Sequence, residues 1–178
     1  MKPLVLNFFG APGTGKSTGA AYVFALLKMA GVNAELVTEF AKDKVWEESV
    51  EVFKNQAYIF GKQSFRLSRC RDKVDVIVTD SPLFLSIIYN NEDCLTENFN
   101  NCVLDVFNSY DNLNILLKRV KKYNPAGRYQ TEEESDKLAL EIRAALDKYN
   151  IEYIEEDGCE SGYRAVVDRV LNLLGIQK

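Results

Sequence analysis

The chain has 178 residues, of which 47% are hydrophobic, a size and an apolar content typical of one compact domain. Its formal net charge of -4 argues against a general nucleic-acid coat protein, because such surfaces are usually basic. Four cysteines without CxxC spacing and a lack of histidine argue against a disulfide framework, a zinc site and the commonest general base. Chemistry is therefore expected from Asp, Glu, Lys, Arg and a bound metal.

The apolar runs of the chain are shorter than the roughly 18 residues that a membrane helix needs. The first residues also lack the pattern of a signal peptide. Together with the unpaired spacing of the cysteines, these features predict a cytoplasmic protein that does not bind membranes. We expect residues 1–178 to form a single domain.

Short apolar runs alternate with helical segments along the chain. The predicted order is strand LVLNFF; a helix to about Met29, stopped by Gly31; strand AELVT; a long helical region to about Arg71; strand VDVIVTD; two helical stretches through Tyr110; strand LNILLK; a helix from about Glu132 to Tyr149; strand IEYIEE; and a last helix ending near Leu174. This alternation predicts an α/β fold in which right-handed crossovers join five parallel strands, with helices on both faces of the sheet.

The segment between the first strand and the first helix, GAPGTGKST, matches the pattern GxxxxGK[ST]. A strand before it and a helix after it favour a phosphate-binding loop over a glycine-rich turn that only caps a helix. In such a loop the backbone N–H groups converge on phosphate oxygens, Lys16 reaches the β and γ phosphates, and the Ser17 hydroxyl binds Mg²⁺. ATP and Mg²⁺ are the predicted cofactors, and the predicted binding residues are Gly10, Pro12, Gly13, Thr14, Gly15, Lys16, Ser17 and Thr18.

Two carboxylates follow predicted strands and should face one crevice. Asp80 ends VIVTD, as expected of an acid that holds Mg²⁺, although an acid before Pro82 could also simply start a turn. Glu39 follows AELVT and could deprotonate or position an acceptor hydroxyl, or else be an ordinary acid at a helix start. We predict catalytic roles for both, together with Lys16, and a metal-binding role for Asp80.

A basic stretch, KRVKKYNPAGR, follows LNILLK and contains no acid. We predict that it forms a lid whose Arg119 and Arg128 close over the γ-phosphate, neutralise transition-state charge and exclude water. The alternative is a solvated surface face. Thr131 and Glu134 then form a capping box that opens the next helix. The lone Trp46 is predicted to pack inside the protein rather than to stack on a base.

On these motifs the chain resembles small P-loop kinases, and among them the nicotinamide riboside kinase domain of bacterial bifunctional NAD-salvage proteins and related AAA_28-type domains. The resemblance spans nearly the whole chain and rests on GAPGTGKS, TEFAKD, FGKQSF, IVTDSP, ILLK, the GR at Arg128 and DKYNIEYIEE. It implies a P-loop NTPase fold of the nucleoside or nucleotide kinase type, with ATP and Mg²⁺ at the loop. It also implies that Asp80 lies near the acceptor hydroxyl and that Glu39 and Gln63 line the acceptor site. Arg66, near Gln63, is predicted to contact a phosphate of the acceptor.

Two departures from the family pattern widen the predicted acceptor. Ser81 and Pro82 follow Asp80 where the family has a second acid, and NPA precedes the lid glycine where the family has acids. We therefore predict an ATP-dependent kinase that moves the γ-phosphoryl group of ATP to a hydroxyl or a phosphate of a small nucleoside- or nucleotide-like acceptor. Two alternatives stay open: a kinase of polynucleotide 5′ ends or modified bases, which would need an electropositive groove, and an ATPase or ATP-binding switch without a transferred product.

Overall fold

The computed structural model describes residues 2–92, 94–124 and 131–176, and those ranges form an α/β fold. The strands are β1 (Leu4–Phe9), β2 (Ala34–Val37), β3 (Val76–Thr79), β4 (Asp111–Lys118) and β5 (Ile154–Asp157). The helices are α1 (Lys16–Met29), α2 (Phe40–Trp46), α3 (Gln56–Ser68), α4 (Leu85–Ile88), α5 (Glu97–Asn108), α6 (Glu132–Lys148) and α7 (Glu160–Leu173), and a 3-10 helix spans Val50–Lys54.

The five strands form one parallel sheet in the order β2-β3-β1-β4-β5. Apolar residues of α1 and α7 pack against one face, and those of α3, α4, α5 and α6 pack against the other. Because both faces are covered, β1 and β3 are nearly continuous apolar runs rather than alternating ones. The prediction of five parallel strands with helices on both faces is confirmed.

The register of the strands brings three chain segments to one edge of the sheet. Asn7 and Val37 both pair with Thr79, and Phe9 pairs with Leu116. The loop after β1, the segment after β2 and Asp80 after β3 therefore leave the sheet side by side. In open parallel sheets this carboxyl edge, where neighbouring strands diverge to different helices, is the usual place for a ligand.

A cluster of buried amides crosses the sheet between β1 and β4. The Asn7 side chain, 1% exposed, donates to the Oδ1 atoms of Asn112 (2.9 Å) and Asn114 (3.0 Å). Asn114 in turn donates to the Glu152 carbonyl at 2.9 Å. Buried amides need such partners, so the cluster favours this pairing of β1 with β4 over a slipped one.

Two segments differ from the predicted element bounds. The long helical region predicted up to Arg71 is divided, because Glu48 adopts a left-handed φ of 54° after α2 and the Asn55 side chain accepts from Tyr58 N at 2.8 Å to start α3. Strand β5 spans 154–157 instead of 151–156, since the Ile151 N–H donates to the Leu146 carbonyl at 2.9 Å and completes the end of α6. Such helix-end bonds leave no trace in an apolar pattern.

Other predicted ends are confirmed. Helix α1 ends at Met29 before Gly31 with φ 82°, and Thr131 and Glu134 form the predicted capping box.

The prediction for Trp46 is wrong: its side chain is 73% exposed, because it ends a short helix in which only Phe40 is buried. In the described ranges, no helix combines the length and the apolar character required to span a membrane.

Candidate active site

The loop between β1 and α1 has the backbone of a phosphate-binding loop. Gly10, Gly13 and Gly15 have φ values of 142°, 88° and 95°. Gly15 caps α1 in the left-handed region, where a side chain would strain the backbone. The Thr14 hydroxyl donates to the Ala11 carbonyl at 2.9 Å and closes the turn.

All predicted nucleotide-binding residues from Gly10 to Thr18, including Pro12, lie in this loop and the first turn of α1, with Ser17 and Thr18 exposed. Their contact with ATP stays a prediction.

Lys16 lies across this loop. Its Nζ donates to the carbonyls of Gly10 (2.6 Å) and Ala11 (3.1 Å). Burial raises the pKa of both Glu39 and Asp80, and the positive charge of Lys16 partly offsets this rise. The lysine therefore connects the loop electrostatically to the two crevice acids.

The two predicted acids lie next to each other. The Glu39 backbone N–H donates to Asp80 Oδ1 at 3.1 Å. Burial raises the pKa of each carboxyl above its ordinary value, and the charge of Asp80 adds to the effect on Glu39. The structure thus brings together two carboxyls with raised proton affinity, as predicted from their places after β2 and β3.

Two further residues interact electrostatically with these acids. Tyr89 as a whole is 38% exposed, but desolvation of its hydroxyl and the charge of Glu39 raise the pKa of that hydroxyl to about 12, so it stays protonated and available as a donor. The charge of Lys42 opposes, to a smaller extent than Lys16, the rise that burial causes in the pKa of Glu39 and Asp80. The sequence analysis gave neither residue a role: Tyr89 belongs to no motif, and Lys42, although it lies within TEFAKD, does not end a strand.

Gln63 and Arg66 hold the junction between β2 and α2. Gln63, 4% exposed, accepts from Phe40 N at 2.9 Å and donates to the Thr38 carbonyl at 3.4 Å. Arg66 donates to the same carbonyl at 3.2 Å and forms an ion pair with Asp43. These bonds fix the backbone on both sides of Glu39. The contact of either side chain with an acceptor stays a prediction.

Arg119 lies just after β4, beside the loop. Its guanidinium forms ion pairs with Asp136 and with Glu132 (3.3 Å) on α6 and lies over the ring of Tyr123, 5.4 Å from its centroid. A Cβ built on Gly13 would lie 3.1 Å from the Tyr123 ring, so this ring packs on the loop. The structure thus places Arg119 near the phosphate site, already paired with acids. The other predicted lid arginine, Arg128, lies outside the described residues.

A cavity of about 280 Å³ opens between the loop, the end of β4 and α6. Gly10, Thr14, Leu116, Arg119, Asp136 and Leu140 are among its lining residues. Its volume is close to the roughly 300 Å³ at the lower end of small-molecule sites. The cavity therefore adds space beside the loop for part of a bound molecule.

The turn after β5 packs against the back of the loop. The Gly158 N–H donates to the Lys118 carbonyl at 2.9 Å, and a Cβ on Gly158 would overlap the Thr14 carbonyl oxygen. Only glycine permits this approach of two backbones. The contact joins segments far apart in sequence, and no local pattern predicted it.

We expect Gly158→Ala to destabilise the protein by about 3 kcal/mol, because the added methyl must displace backbone atoms rather than a mobile side chain. Urea denaturation monitored by circular dichroism measures this loss. The matched control is Gly61→Ala in α3, where a Cβ meets no atom within 4 Å. That variant should be about 0.5–1 kcal/mol more stable, from helix propensity alone. Equal stability of Gly158→Ala and the native protein would contradict the packing.

Comparisons with known proteins agree with this architecture. A family profile described as an AAA domain, AAA_28, matches residues 5–160. The NadR protein in complex with NR is similar in structure, with a TM-score of 0.72 and 15% identity over 98% of this chain and 52% of that chain. The chain therefore spans about half the length of the NadR chain. No match was found among curated proteins.

Deoxyadenosine kinase from M. mycoides also shares the fold. Its structure with bound dATP has a TM-score of 0.54 and 18% identity over 96% of this chain and 99% of that chain. Its structure with products dCMP and a flexible dCDP has a TM-score of 0.53 and 18% identity over 96% and 98%. At identities this low, the likeness establishes a common fold.

Proposed function

Because this chain belongs to the AAA_28 family and has the fold of P-loop kinases, we propose that it is an ATP-dependent kinase. It transfers the γ-phosphoryl group of ATP to a hydroxyl of a small nucleoside- or nucleotide-like acceptor. The observation that carries this proposal is the pair of half-buried Glu39 and buried Asp80, under the charge of Lys16, at the edge of the sheet where the phosphate loop begins.

The phosphate side of the site is formed by the loop and α1. The N–H groups at the start of α1 and the Lys16 ammonium favour the triphosphate. The Ser17 hydroxyl and the Asp80 carboxylate are hard oxygen donors, which suit Mg²⁺ better than softer metals. When bound, Mg²⁺ neutralises charge on the phosphate oxygens.

The acceptor side of the site is formed by Glu39, Asp80 and Tyr89. In the proposed reaction the acceptor oxygen bonds to the γ-phosphorus, the bond to the bridging oxygen breaks, and ADP leaves. The acceptor proton passes to the Glu39 carboxylate, whose proton affinity is raised by burial. Tyr89 keeps its proton and can donate to the acceptor.

The two acids of the crevice disfavour an acceptor phosphate close to them, since Lys16 is assigned to the triphosphate of ATP and the neighbouring Lys42 is exposed. Glu39 and Asp80 would repel a phosphate brought close to them. Arg66, predicted to contact such a phosphate, is already engaged by Asp43 and the Thr38 carbonyl. We therefore infer that an uncharged or cationic molecule with a free hydroxyl, as in a nucleoside, suits the site better than a nucleotide.

Thermal shifts in the presence of Mg²⁺ and a non-hydrolysable ATP analogue test this proposal. Nucleosides, nucleoside monophosphates and short oligonucleotides are added in separate arms. A bound ligand raises the free energy of unfolding by RT ln(1 + [L]/Kd), and the melting temperature rises with it. We expect the nucleoside arm to give the largest shift. With ATP, mass spectrometry should then detect one phosphorylated acceptor for each ADP formed.

Two other outcomes would contradict the proposed kinase activity, and a third would contradict only the inference about the charge of the acceptor. A shift with oligonucleotides alone would favour a polynucleotide kinase. ADP formation without a phosphorylated product would favour an ATPase or switch. Larger shifts with monophosphates than with nucleosides would keep the kinase and overturn the inference about charge.

Glu39→Gln should make the protein more stable and less active. Folding raises the pKa of Glu39, so stability falls as pH rises above the ordinary value of 4.5, until the folded pKa is passed. The neutral amide avoids this loss, and the variant should melt at a higher temperature than the native protein at pH 7–8. The difference should disappear below pH 4.5. Turnover should fall roughly tenfold, less than for most general bases, because phosphoryl transfer has a loose transition state.

The control for this prediction is Glu35→Gln, an exposed residue of β2, the strand that precedes Glu39. It should change neither melting temperature nor turnover. Melting curves across pH and initial rates of ADP release measure both properties. A Glu39→Gln variant that melts lower than the native protein at pH 8 would show that the Glu39 carboxylate stabilises the fold instead.

A further inference from the structure

Two side chains from distant parts of the chain bond to carbonyls of the phosphate loop. The Ser135 hydroxyl, on the first turn of α6, donates to the Pro12 carbonyl at 2.7 Å. The Tyr163 hydroxyl, on the first turn of α7, donates to the Gly15 carbonyl at 3.0 Å. Neither residue belongs to the loop motif.

These bonds help to set the direction of two backbone N–H groups. The Gly15 carbonyl also accepts from the Gly19 N–H at 2.7 Å, so Tyr163 adds a second bond to a peptide unit that α1 already orients. In a trans peptide unit the C=O and the N–H point in opposite directions. The Pro12 carbonyl belongs to the same unit as the Gly13 N–H, and the Gly15 carbonyl belongs to the same unit as the Lys16 N–H. Bonds that hold the two carbonyls outward therefore turn the two N–H groups inward, toward the place of the phosphates.

Both donors are held firmly. Ser135 is 1% exposed and Tyr163 is 3% exposed. The Tyr163 ring packs on Gly19 of α1 so closely that a Cβ there would clash with it. Burial raises the pKa of Tyr163, so its hydroxyl remains a donor. A preorganised donor of this kind needs no rearrangement when the ligand arrives.

We propose that Ser135 and Tyr163 are positioning residues for the triphosphate: each holds one peptide unit of the loop in the orientation that presents its N–H to phosphate oxygens. This inference rests on the proposed function, because it takes a polyphosphate as the ligand of the loop. Ser135 acts from the helix that follows the basic stretch, and Tyr163 acts from the helix after β5. The loop is thus oriented from both sides.

Ser135→Ala and Tyr163→Phe test the proposal, because each removes one oxygen atom and keeps the rest of the side chain. Isothermal titration with MgATP and with Mg-tripolyphosphate gives the affinities. We expect each variant to bind both probes about 3- to 10-fold more weakly, the loss of one net hydrogen bond. The same factor for both probes is expected, since the N–H groups contact phosphates and not the nucleoside.

The controls remove the same hydroxyl groups from a serine and a tyrosine at the opposite edge of the sheet, where their bonds are local. The Ser109 hydroxyl donates to the Val106 carbonyl at 2.7 Å, and the Tyr153 hydroxyl donates to Asp147 at 3.0 Å. Ser109→Ala and Tyr153→Phe should bind both probes like the native protein. In kinase assays the two test variants should raise KM for ATP by the factor found in titration and leave KM for the acceptor unchanged.

The outcomes separate this inference from the proposed function. Tight binding by the native protein with unchanged affinity in Ser135→Ala and Tyr163→Phe would overturn the positioning role alone. Weaker binding in the control variants to the same degree would also overturn it, because the effect would then follow from lost stability. A native protein that binds neither MgATP nor Mg-tripolyphosphate would overturn the proposed function and this inference together.

Discussion

Lys16→Ala is expected to lower ATP-dependent turnover by about 10³-fold, the upper range for removal of a single electrostatic stabiliser. Its Nζ lies over the phosphate loop, in contact with the Gly10 and Ala11 carbonyls. Removing the charge should also raise the pKa of Glu39 and Asp80 further, because Lys16 lowers both. The residual activity should therefore require a higher pH than that of the native protein. Rates of ADP formation from pH 5 to 9 measure both effects.

The control is Lys28→Ala, in the last turn of the same helix. Lys28→Ala should lower the free energy of unfolding by only a few tenths of a kcal/mol, because it removes one favourable charge at the C-terminal end of the helix dipole. It should leave turnover unchanged. Circular dichroism should show that Lys16→Ala stays folded, since a half-buried lysine contributes little to the core. Native turnover in Lys16→Ala would remove the loop from the proposed reaction.

Asp80→Asn is expected to lower turnover by at least about 10²-fold while the affinity for ATP changes only a few-fold. The amide keeps an oxygen that can accept from the Glu39 N–H, so the crevice should retain its shape. It loses the negative charge that a metal ligand needs, and this charge acts mainly in the transition state. Titration with the ATP analogue and single-turnover rates separate binding from chemistry.

Asp75→Asn provides the comparison for Asp80, because Asp75 is exposed at the opposite end of β3. It should match the native protein in rate and in affinity. If Asp80→Asn transferred phosphate at the native rate, Asp80 would be a turn residue and the metal-binding prediction would be wrong.

The sequence predicted those parts of the molecule that depend on short-range patterns. Apolar runs indicated all five strands, and their parallel order placed Glu39 and Asp80 beside the loop before any contact was known. The capping box at Thr131 was equally local. In each case one stretch of a few residues contained the whole signal.

The remaining features depend on contacts between distant residues. Ser135 bonds to Pro12 across 123 positions, and Tyr163 bonds to Gly15 across 148. The pairing of Arg119 with Asp136 depends on how α6 lies against the end of β4. Propensity and periodicity report neither the packing of one helix on another nor the side chains that meet there. The sequence therefore indicated the phosphate-loop motif but not the distant residues that support the candidate site.

The strand order also governs how the chain folds during synthesis. β1 lies between β3 and β4, yet it precedes both along the chain. β1 cannot pair with β3 and β4 until the ribosome has synthesised and released Val76–Thr79 and Asp111–Lys118. Until then β1 is an unpaired strand of the kind that chaperones bind and that aggregates form around. Before β4 is available, pairing of β1 with another strand would bury the Asn7 amide without its partners Asn112 and Asn114. The free-energy cost of that burial makes such a pairing unfavourable.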